Sequence, residues 1–298
     1  MQNLTLKQFR YFDALARHGH FGHAAESCAI SQPALSMQIK DMEQSLGTPL
    51  FERSARHVRL TAFGADVAPR VRDILRAVDE LGDLARASST QLAGRLRLGV
   101  IPTIAPYLLP RLIGNITQAY PDLDVHLRET LTGTLITELT EGRLDAAIVA
   151  LPVSEPAFEE VALFDESFVL VRPGADRDAP VPSPEKLREM RLLLLEEGHC
   201  FRDQALAFCN MGSAMPREML EGSSLSTLVQ MVGAGIGVTL VPEMALPVET
   251  RSAEVAIARF DDPQPKRTVG MIWRKSNPMA RQFRQLSELV RQSAVAVR

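Results

Sequence analysis

Residues 24–64 read AAESCAISQPALSMQIKDMEQSLGTPLFERSARHVRLTAFG, and the middle of this stretch decides the fold of the head of the chain. Ser31 is a residue suited to an N-cap, and Pro33 fits the first helical turn, where its missing N–H costs nothing. Leu35, Ile39, Met42 and Leu46 recur at helical spacing and form a buried stripe, and Gly47 stops the helix. Gln32, Ser36, Gln38 and Lys40 are left for the exposed N-terminal part. Amide side chains read base edges in a groove, and hydroxyl and ammonium groups reach phosphates. LFERSARHVRLTAFG then reads as a strand, a basic turn and a second strand, which places Arg53, Arg56 and His57 on a wing.

Upstream, Leu4–His18 carries Leu6, Phe9, Phe12, Leu15 and Ala16 at helical spacing, and Phe21–Cys28 is a short second helix. The three helices and the wing make a winged helix-turn-helix. A small helical bundle with an ordinary polar face is the bland alternative. Charge favours the first. Residues 1–64 hold seven Lys/Arg against five acids, and four of the six histidines, in a chain of net charge −3. A modestly basic head therefore sits on an acidic body.

The quoted stretch resembles the DNA-binding head of LysR-type transcriptional regulators over its whole length, with Met42 where that family usually has Leu. The resemblance implies promoter DNA as partner; by their side-chain chemistry Gln32, Ser36 and Gln38 are expected on bases, and Lys40, Arg53 and Arg56 on phosphates. Residues 1–62 form this domain. Residues 63–90 form a linker helix and hinge. Thr61 can cap a helix running to about Ala87, with Val67, Val71, Ile74, Val78 and Leu81 at a spacing that suits a two-helix dimer seam. Packing on its own domain is the alternative. Pro69 inside that helix costs about 3 kcal/mol and is a candidate kink. ASSTQLAG reads as the hinge.

Residues 91–298 read as a second, α/β domain. RLRLGVI, Asp124–Glu129 and Leu144–Leu151 are strands, separated by helices at Ile104–Tyr120 and Thr132–Glu141. That alternation implies a mostly parallel sheet. Phe168–Val171, Leu192–Leu195 and Gly237–Val241 look like strands of a second lobe, with a helix at Ser224–Gly233. Thr268–Trp273 and Met279–Val290 return to the first. Lobe I is about 91–164 and 268–298, and lobe II about 165–267. Parallel sheets place ligands beyond the C-terminal strand ends, so Thr103, Thr132 and the Gly198–Cys200 turn are expected at one cleft. The layout resembles the two-lobed, periplasmic-binding-protein-like effector domain of the same regulators.

The N-terminus is amphipathic and charged, without the apolar core of a secretory signal, and no apolar run approaches the ~18 residues of a membrane span. A cytoplasmic protein is expected. Three cysteines make no structural disulfide framework, yet two of them lie nine positions apart in LLLLEEGHCFRDQALAFC, Leu192–Cys209. An ordinary thiol is only about 7% ionised at pH 7.4. His199, Arg202 and the N–H groups of a helix starting at Arg202 could favour a Cys200 thiolate, which raises reactivity at most ~14-fold. Fast sensing also needs groups that orient an oxidant, and the Thr103 and Thr132 hydroxyls are candidates. Cys209 is the thiol nearest in sequence for a Cys200 sulfenic acid to condense with. Other readings stay open: cysteines as small buried hydrophobes (the reading preferred for Cys28), a metal site lacking a CxxC pair and a fourth ligand, a cysteine hydrolase without an oxyanion element.

Glu196–Cys209, IPTIAPYLLP, LFDES and KRTVGMIWR closely resemble the corresponding segments of the peroxide-sensing members of the LysR type. That resemblance implies Cys200 as the peroxidatic and Cys209 as the resolving residue, joined as a disulfide, with Thr103, Thr132, His199, Arg202 and Asp203 in support. It weakens at Asn210–Glu218. The expectation is a hydrogen-peroxide-responsive activator of oxidative-stress genes, a homotetramer built as a dimer of dimers. It needs no cofactor or metal, is not an enzyme, and works with RNA polymerase and a thiol–disulfide reductant. A metabolite-responsive regulator with incidental cysteines, and a thiol peroxidase with a fused head, are the competing expectations.

Overall fold

The computed structural model describes residues 4–53, 58–87, 92–209 and 220–295. Contacts divide it into two compact units, Met1–Leu84 and Ala85–Arg298.

In the first unit α1 (Leu6–His18) opens with a capping box. The Thr5 hydroxyl accepts from the Gln8 N–H, and the Gln8 side chain accepts from the Thr5 N–H. The short α2 (Phe21–Ser27) follows, then α3 (Gln32–Leu46). Ser31 caps α3 by accepting from the Ala34 N–H, and Gly47 ends it at φ 72°, a conformation that suits glycine. Phe12, Leu15, Leu35, Ile39 and Met42 are fully buried, each worth about 1.5–3 kcal/mol of transfer free energy. The wing is an antiparallel hairpin of β1 (Phe51–Arg53) and β2 (Val58–Leu60). Glu43 of α3 ties it down by accepting from the Leu50 and Phe51 N–H groups.

Thr61 caps α4 (Ala62–Ala87), its hydroxyl accepting from the Gly64 N–H at 2.9 Å. A Cβ at Gly64 would lie 2.1 Å from the Leu50 carbonyl oxygen, so only glycine lets α4 pass the hairpin this closely. The helix runs on through Pro69. Its N-terminal half packs on the head: Ala68 and Val71 are buried in the head's own core, with Val67 and Leu75 against it. Farther along, Ile74, Leu81 and Leu84 are exposed.

The second unit begins with β3 (Gly94–Val100), α5 (Ala105–Ala119), β4 (Leu123–Glu129), α6 (Thr132–Thr140) and β5 (Ala146–Leu151), and β3 pairs in parallel with both β4 and β5. The chain then enters β6 (Phe158–Pro173), a strand of 16 residues. Beyond it come α7 (Pro184–Leu187), β7 (Leu192–Leu195), α8 (Cys200–Phe208), β8 (Leu220–Gly222), α9 (Leu225–Gly233), β9 (Val238–Pro242), α10 (Leu246–Glu249) and β10 (Val255–Ala258). β7 pairs in parallel with β8 and β9. Finally β11 (Lys266–Arg274) and α11 (Ala280–Val295) return the chain to the first lobe.

The parallel units of the two lobes are joined by antiparallel strands. β11 pairs with β5 and with the first ten residues of β6, and the rest of β6 pairs with β9 and β10. The resulting order is β4-β3-β5-β11-β6-β9-β7-β8. Only Phe168–Val171 of β6 is legible as a strand from sequence. The charges before it have partners in the fold: Glu159 with Arg284, Asp165 with Lys266 and Thr268, Glu166 with Arg267. Trp273 of β11 packs on Phe283 of α11 at 5.7 Å between ring centroids, in the first lobe's core.

Candidate functional site: a cleft between lobes and a two-cysteine helix

The loops after β3, β4 and β7 meet at a cleft of about 380 Å³. Thr103, Tyr107, Glu129 and Leu131 line it from the first lobe, His199, Ser226 and Glu249 from the second. Gly198, at φ 94°, touches the opposite loop: a Cβ there would lie 2.9 Å from Leu131 Cδ1. Of the residues expected here, Thr103 and His199 line the cleft. Thr132 does not, its neighbour Leu131 taking that place. Thr132 Oγ1 is buried without a hydrogen-bond partner among the described residues.

A buried network fixes Thr103. Arg267 on β11, 2% exposed, donates to Thr103 Oγ1 at 2.8 Å and to the Thr103 carbonyl at 3.0 Å. Its charge is matched by Glu166 at 2.7 Å, as a buried guanidinium requires. Because Thr103 Oγ1 accepts from Arg267, its own proton is left to donate. On the other side of the cleft, Glu249 accepts from the Tyr107 hydroxyl at 2.7 Å and the Ser226 hydroxyl at 2.6 Å. Burial first, then the Glu249 hydrogen bond and charge, push the Tyr107 pKa above its ordinary value, while Arg267 pulls the other way. Arg267, Glu166, Tyr107 and Glu249 escape a reading of the sequence. A faint signal for Arg267 is its strand phase: it shares a face with Val269, Met271 and Trp273, where a charge demands a partner.

Cys200 is the first residue of α8, so this helix begins two residues earlier than expected, with His199 as N-cap. A helix's first turn leaves N–H groups outside its hydrogen-bond ladder and carries the positive end of its dipole. Of the two neighbours expected to add positive charge, one is neutral and the other is already paired. Burial holds the His199 pKa below the ordinary histidine range, against the opposing pull of Glu196, so the ring is neutral near pH 7, with one nitrogen suited to donate and one to accept. Arg202 is 4% exposed and engaged with the Leu195 carbonyl at 3.0 Å and Glu221 at 2.6 Å. It anchors α8 to β7 and β8. Asp203 is exposed in the first turn, where a negative charge suits the dipole.

Cys209 closes the same helix at its other end, fully buried and unbonded to Cys200. Burial pushes its thiol up to about 11, with Arg188 opposing. The anchors of the two ends differ. Phe201 stands edge-on to Phe168 at 4.8 Å inside the core, whereas Cys209's carbonyl accepts from the exposed Arg188 at 2.6 Å and Phe208 meets Phe260 at 4.9 Å.

In the head, Gln32 and Lys40 are exposed on α3, and Ser36 and Gln38 half-buried. The most exposed large apolar residue of that helix is Met37, at 59%, which sequence reasoning passed over. The side chain of Arg53, and Arg56 and His57 entirely, lie outside the described residues. Among the described residues no group of His, Cys, Asp and Glu could hold a metal, and no helix is long and apolar enough to cross a membrane.

Residues 6–65 match the lysR family of bacterial regulatory helix-turn-helix proteins, and residues 89–295 the LysR substrate binding domain. The chain is 40% identical over 292 residues to the DNA-binding transcriptional dual regulator OxyR of Escherichia coli K12, covering 97% of this chain and 95% of that one. It is 43% identical over 294 residues to a probable hydrogen peroxide-inducible genes activator of Streptomyces viridosporus, covering 97% and 94%. Among solved structures, a full-length cysteine-to-aspartate variant of OxyR from Pseudomonas aeruginosa superposes with a TM-score of 0.77 at 37% identity, covering 98% and 96%. A hydrogen-peroxide-bound cysteine-to-serine mutant of Corynebacterium glutamicum OxyR gives 0.67 at 35%, covering 100% and 95%. The chain belongs to the LysR family of bacterial transcriptional regulators, and within it to the OxyR branch.

Proposed function

We propose that this protein is a hydrogen-peroxide-responsive transcriptional regulator that binds promoter DNA through α3 and the wing and is switched at Cys200. The carrying observation is the placement of two free cysteines at opposite ends of one helix, the first adjoining the cleft-lining His199. The Cys200 thiolate attacks one oxygen of the peroxide. An S–O bond forms, the O–O bond breaks, and hydroxide leaves with a proton to become water. The Cys209 sulfur then attacks the sulfenic sulfur, forming S–S and breaking S–O, and a second water leaves. Two thiols are oxidised and one peroxide reduced. Thr103, with its free hydroxyl proton, and neutral His199 are the groups suited to orient the peroxide, with Thr132 beside the cleft. Arg202 and Asp203 support α8. The relatives' names support the signal and the target.

An external reductant resets the disulfide, so the protein is a switch with no turnover of its own. The exposed Ile74, Leu81 and Leu84 on α4 favour pairing of two chains, and the assembly proposed is a dimer of dimers acting with RNA polymerase in the cytoplasm. One observation favours a second reading. At about 380 Å³ the cleft exceeds what peroxide needs, since a water molecule occupies about 30 Å³. A regulator responding to a small metabolite would use that space. The deciding experiment is thiol-labelling mass spectrometry before and after substoichiometric peroxide, paired with reporter expression. Cys200→Ser is expected to keep DNA binding and lose the peroxide response. A Cys200→Ser protein responding at the wild-type dose establishes the metabolite reading instead.

A further inference from the structure

We propose that Arg188 is the positioning residue that holds Cys209 away from Cys200 in the reduced protein, and that it thereby sets the rate of disulfide closure. This rests on the peroxide reading above and adds to it a residue acting on the second step alone.

Closure must move Cys209. Nine residues at ~1.5 Å rise separate the two cysteines by about 13 Å between Cα atoms along an intact helix, and a disulfide needs roughly 4.4–6.8 Å. The end that yields is the one held less firmly. At the N-terminal end Phe201 and Arg202 are 2% and 4% exposed, locked by the Phe168 ring, the Leu195 carbonyl and Glu221. At the C-terminal end the carbonyl of the C-cap, Cys209, accepts its side-chain bond from an exposed arginine.

Arg188 is itself well placed to act as a clasp. It follows directly on α7, which Ser183 caps and fully buried Leu187 pins to the core. From there Nε reaches the Cys209 carbonyl at 2.6 Å. A cation at a helix C-terminus meets both the unpaired carbonyls and the negative dipole end. The bond exists only while the last turn of α8 is wound and Cys209 is inside, so it stabilises the reduced geometry and must break before Cys209 can reach the sulfenic sulfur. Arg188 is not among the residues that line the cleft and binds the end of α8 opposite Cys200, so sulfenic acid formation should not sense it.

The test uses the full chain, reduced, as wild type, Arg188→Ala and Arg188→Lys. Each is mixed with excess hydrogen peroxide, so that the first step is fast, and quenched at intervals. Mass spectrometry follows the Cys200 sulfenic acid, trapped with a dione, and the Cys200–Cys209 disulfide. Arg188→Ala is expected to close about tenfold faster, the size of one charge-assisted hydrogen bond, with sulfenic acid formation unchanged. Its disulfide equilibrium against glutathione should shift tenfold toward the oxidised form, about 30 mV. Arg188→Lys, which keeps a cationic donor, should fall within about threefold of wild type. Equal closure rates in wild type and Arg188→Ala overturn the proposal. So does a lysine variant that behaves like the alanine one, or an alanine variant in which both steps change together. If wild type itself forms no Cys200–Cys209 disulfide, the underlying reading fails, and that is visible before any variant is compared.

Discussion

The Tyr107 hydroxyl donates to Glu249 Oε1 at 2.7 Å across 142 residues of chain, joining α5 of one lobe to α10 of the other. Both groups are largely buried, at 7% and 8% exposure, and Ser226 completes the carboxylate's shell. The contact ties the lobes at the cleft. Tyr107→Phe leaves a buried carboxylate short of a donor and should destabilise the protein by about 1–3 kcal/mol at pH 7. The folded-state pKa of Tyr107 is raised, so its contribution is complete below the unfolded value of about 10 and is lost as pH rises beyond it. Urea unfolding from pH 7 to 11 should show the gap between wild type and Tyr107→Phe closing only at the alkaline end. A constant gap contradicts the assignment.

His199 gives the opposite sign. Burial depresses its folded-state pKa, so the fold favours the neutral ring. The associated stability is present above the unfolded pKa of about 6.5 and is lost as pH falls through the depressed folded value. His199→Gln should flatten the acid limb of the stability profile between about pH 6.5 and 5. An unchanged acid limb means that the ring is not held neutral by its site.

The head was legible in outline because local rules decide it. A Ser cap, a Pro in the first turn, a stripe at Leu35, Ile39 and Met42 and a stopping Gly47 all act within one helix, and each is where the pattern places it. The α/β alternation of the body was equally readable. What was not readable is long-range. Glu166 and Arg267 lie just outside the strands expected at Phe168–Val171 and Thr268–Trp273, and they find each other across 101 residues. Arg202 looks like a cation for a thiolate, but in the fold its Nη1 is engaged by Glu221 and the Leu195 carbonyl. The placement of Cys200 at the start of α8 depends on where the helix begins, and helix ends are the part of a pattern that tertiary contacts adjust.

Thiol reactivity should separate the cysteines of the native, reduced protein. With a pKa of about 11, Cys209 is ~0.1% ionised at pH 8, on the order of 200-fold below an ordinary thiol. Burial adds a steric barrier. Iodoacetamide at pH 8 should therefore modify Cys200 long before Cys209, and urea should bring the two rates together. Early native labelling of Cys209 places it at the surface and contradicts the packing described here.

Met37 exposes 59% of its surface on α3, between Ser36 and Gln38, which are expected to face bases. An apolar side chain in a major groove contacts the thymine methyl. Met37→Ala should weaken binding to an operator by about fourfold, the worth of roughly one buried methyl group. Replacing the contacted thymine by uracil should weaken wild type equally and leave Met37→Ala unaffected. Losses that simply add at every thymine of the site show that no such contact exists. Gln38→Ala should instead relax specificity at one base pair at a cost of about 1–3 kcal/mol.

Amide exchange can follow the switch itself. Reduced α8 runs from Cys200 to Phe208 with Cys209 as its C-cap, and the intact helix keeps the sulfurs too far apart to bond. Closing so short a loop costs only about 3 kcal/mol of chain entropy, which a local unwinding can meet without unfolding the lobe. The unwinding should start where the anchors are exposed, at Cys209 and its Arg188 clasp, and stop at buried Phe201 and Arg202. Oxidation should therefore deprotect the amides of Ala205–Cys209 while β7, fully buried at Leu192–Leu195, stays protected. Cys209 also leaves a core position as it moves, and the altered lobe surface is then where a neighbouring chain can re-dock and re-space two DNA-binding heads. Exchange mass spectrometry on reduced and fully oxidised protein, with operator footprints of both, measures each link. Identical exchange across residues 200–209 in a sample proven to carry the disulfide, together with footprints of equal length, rules this mechanism out.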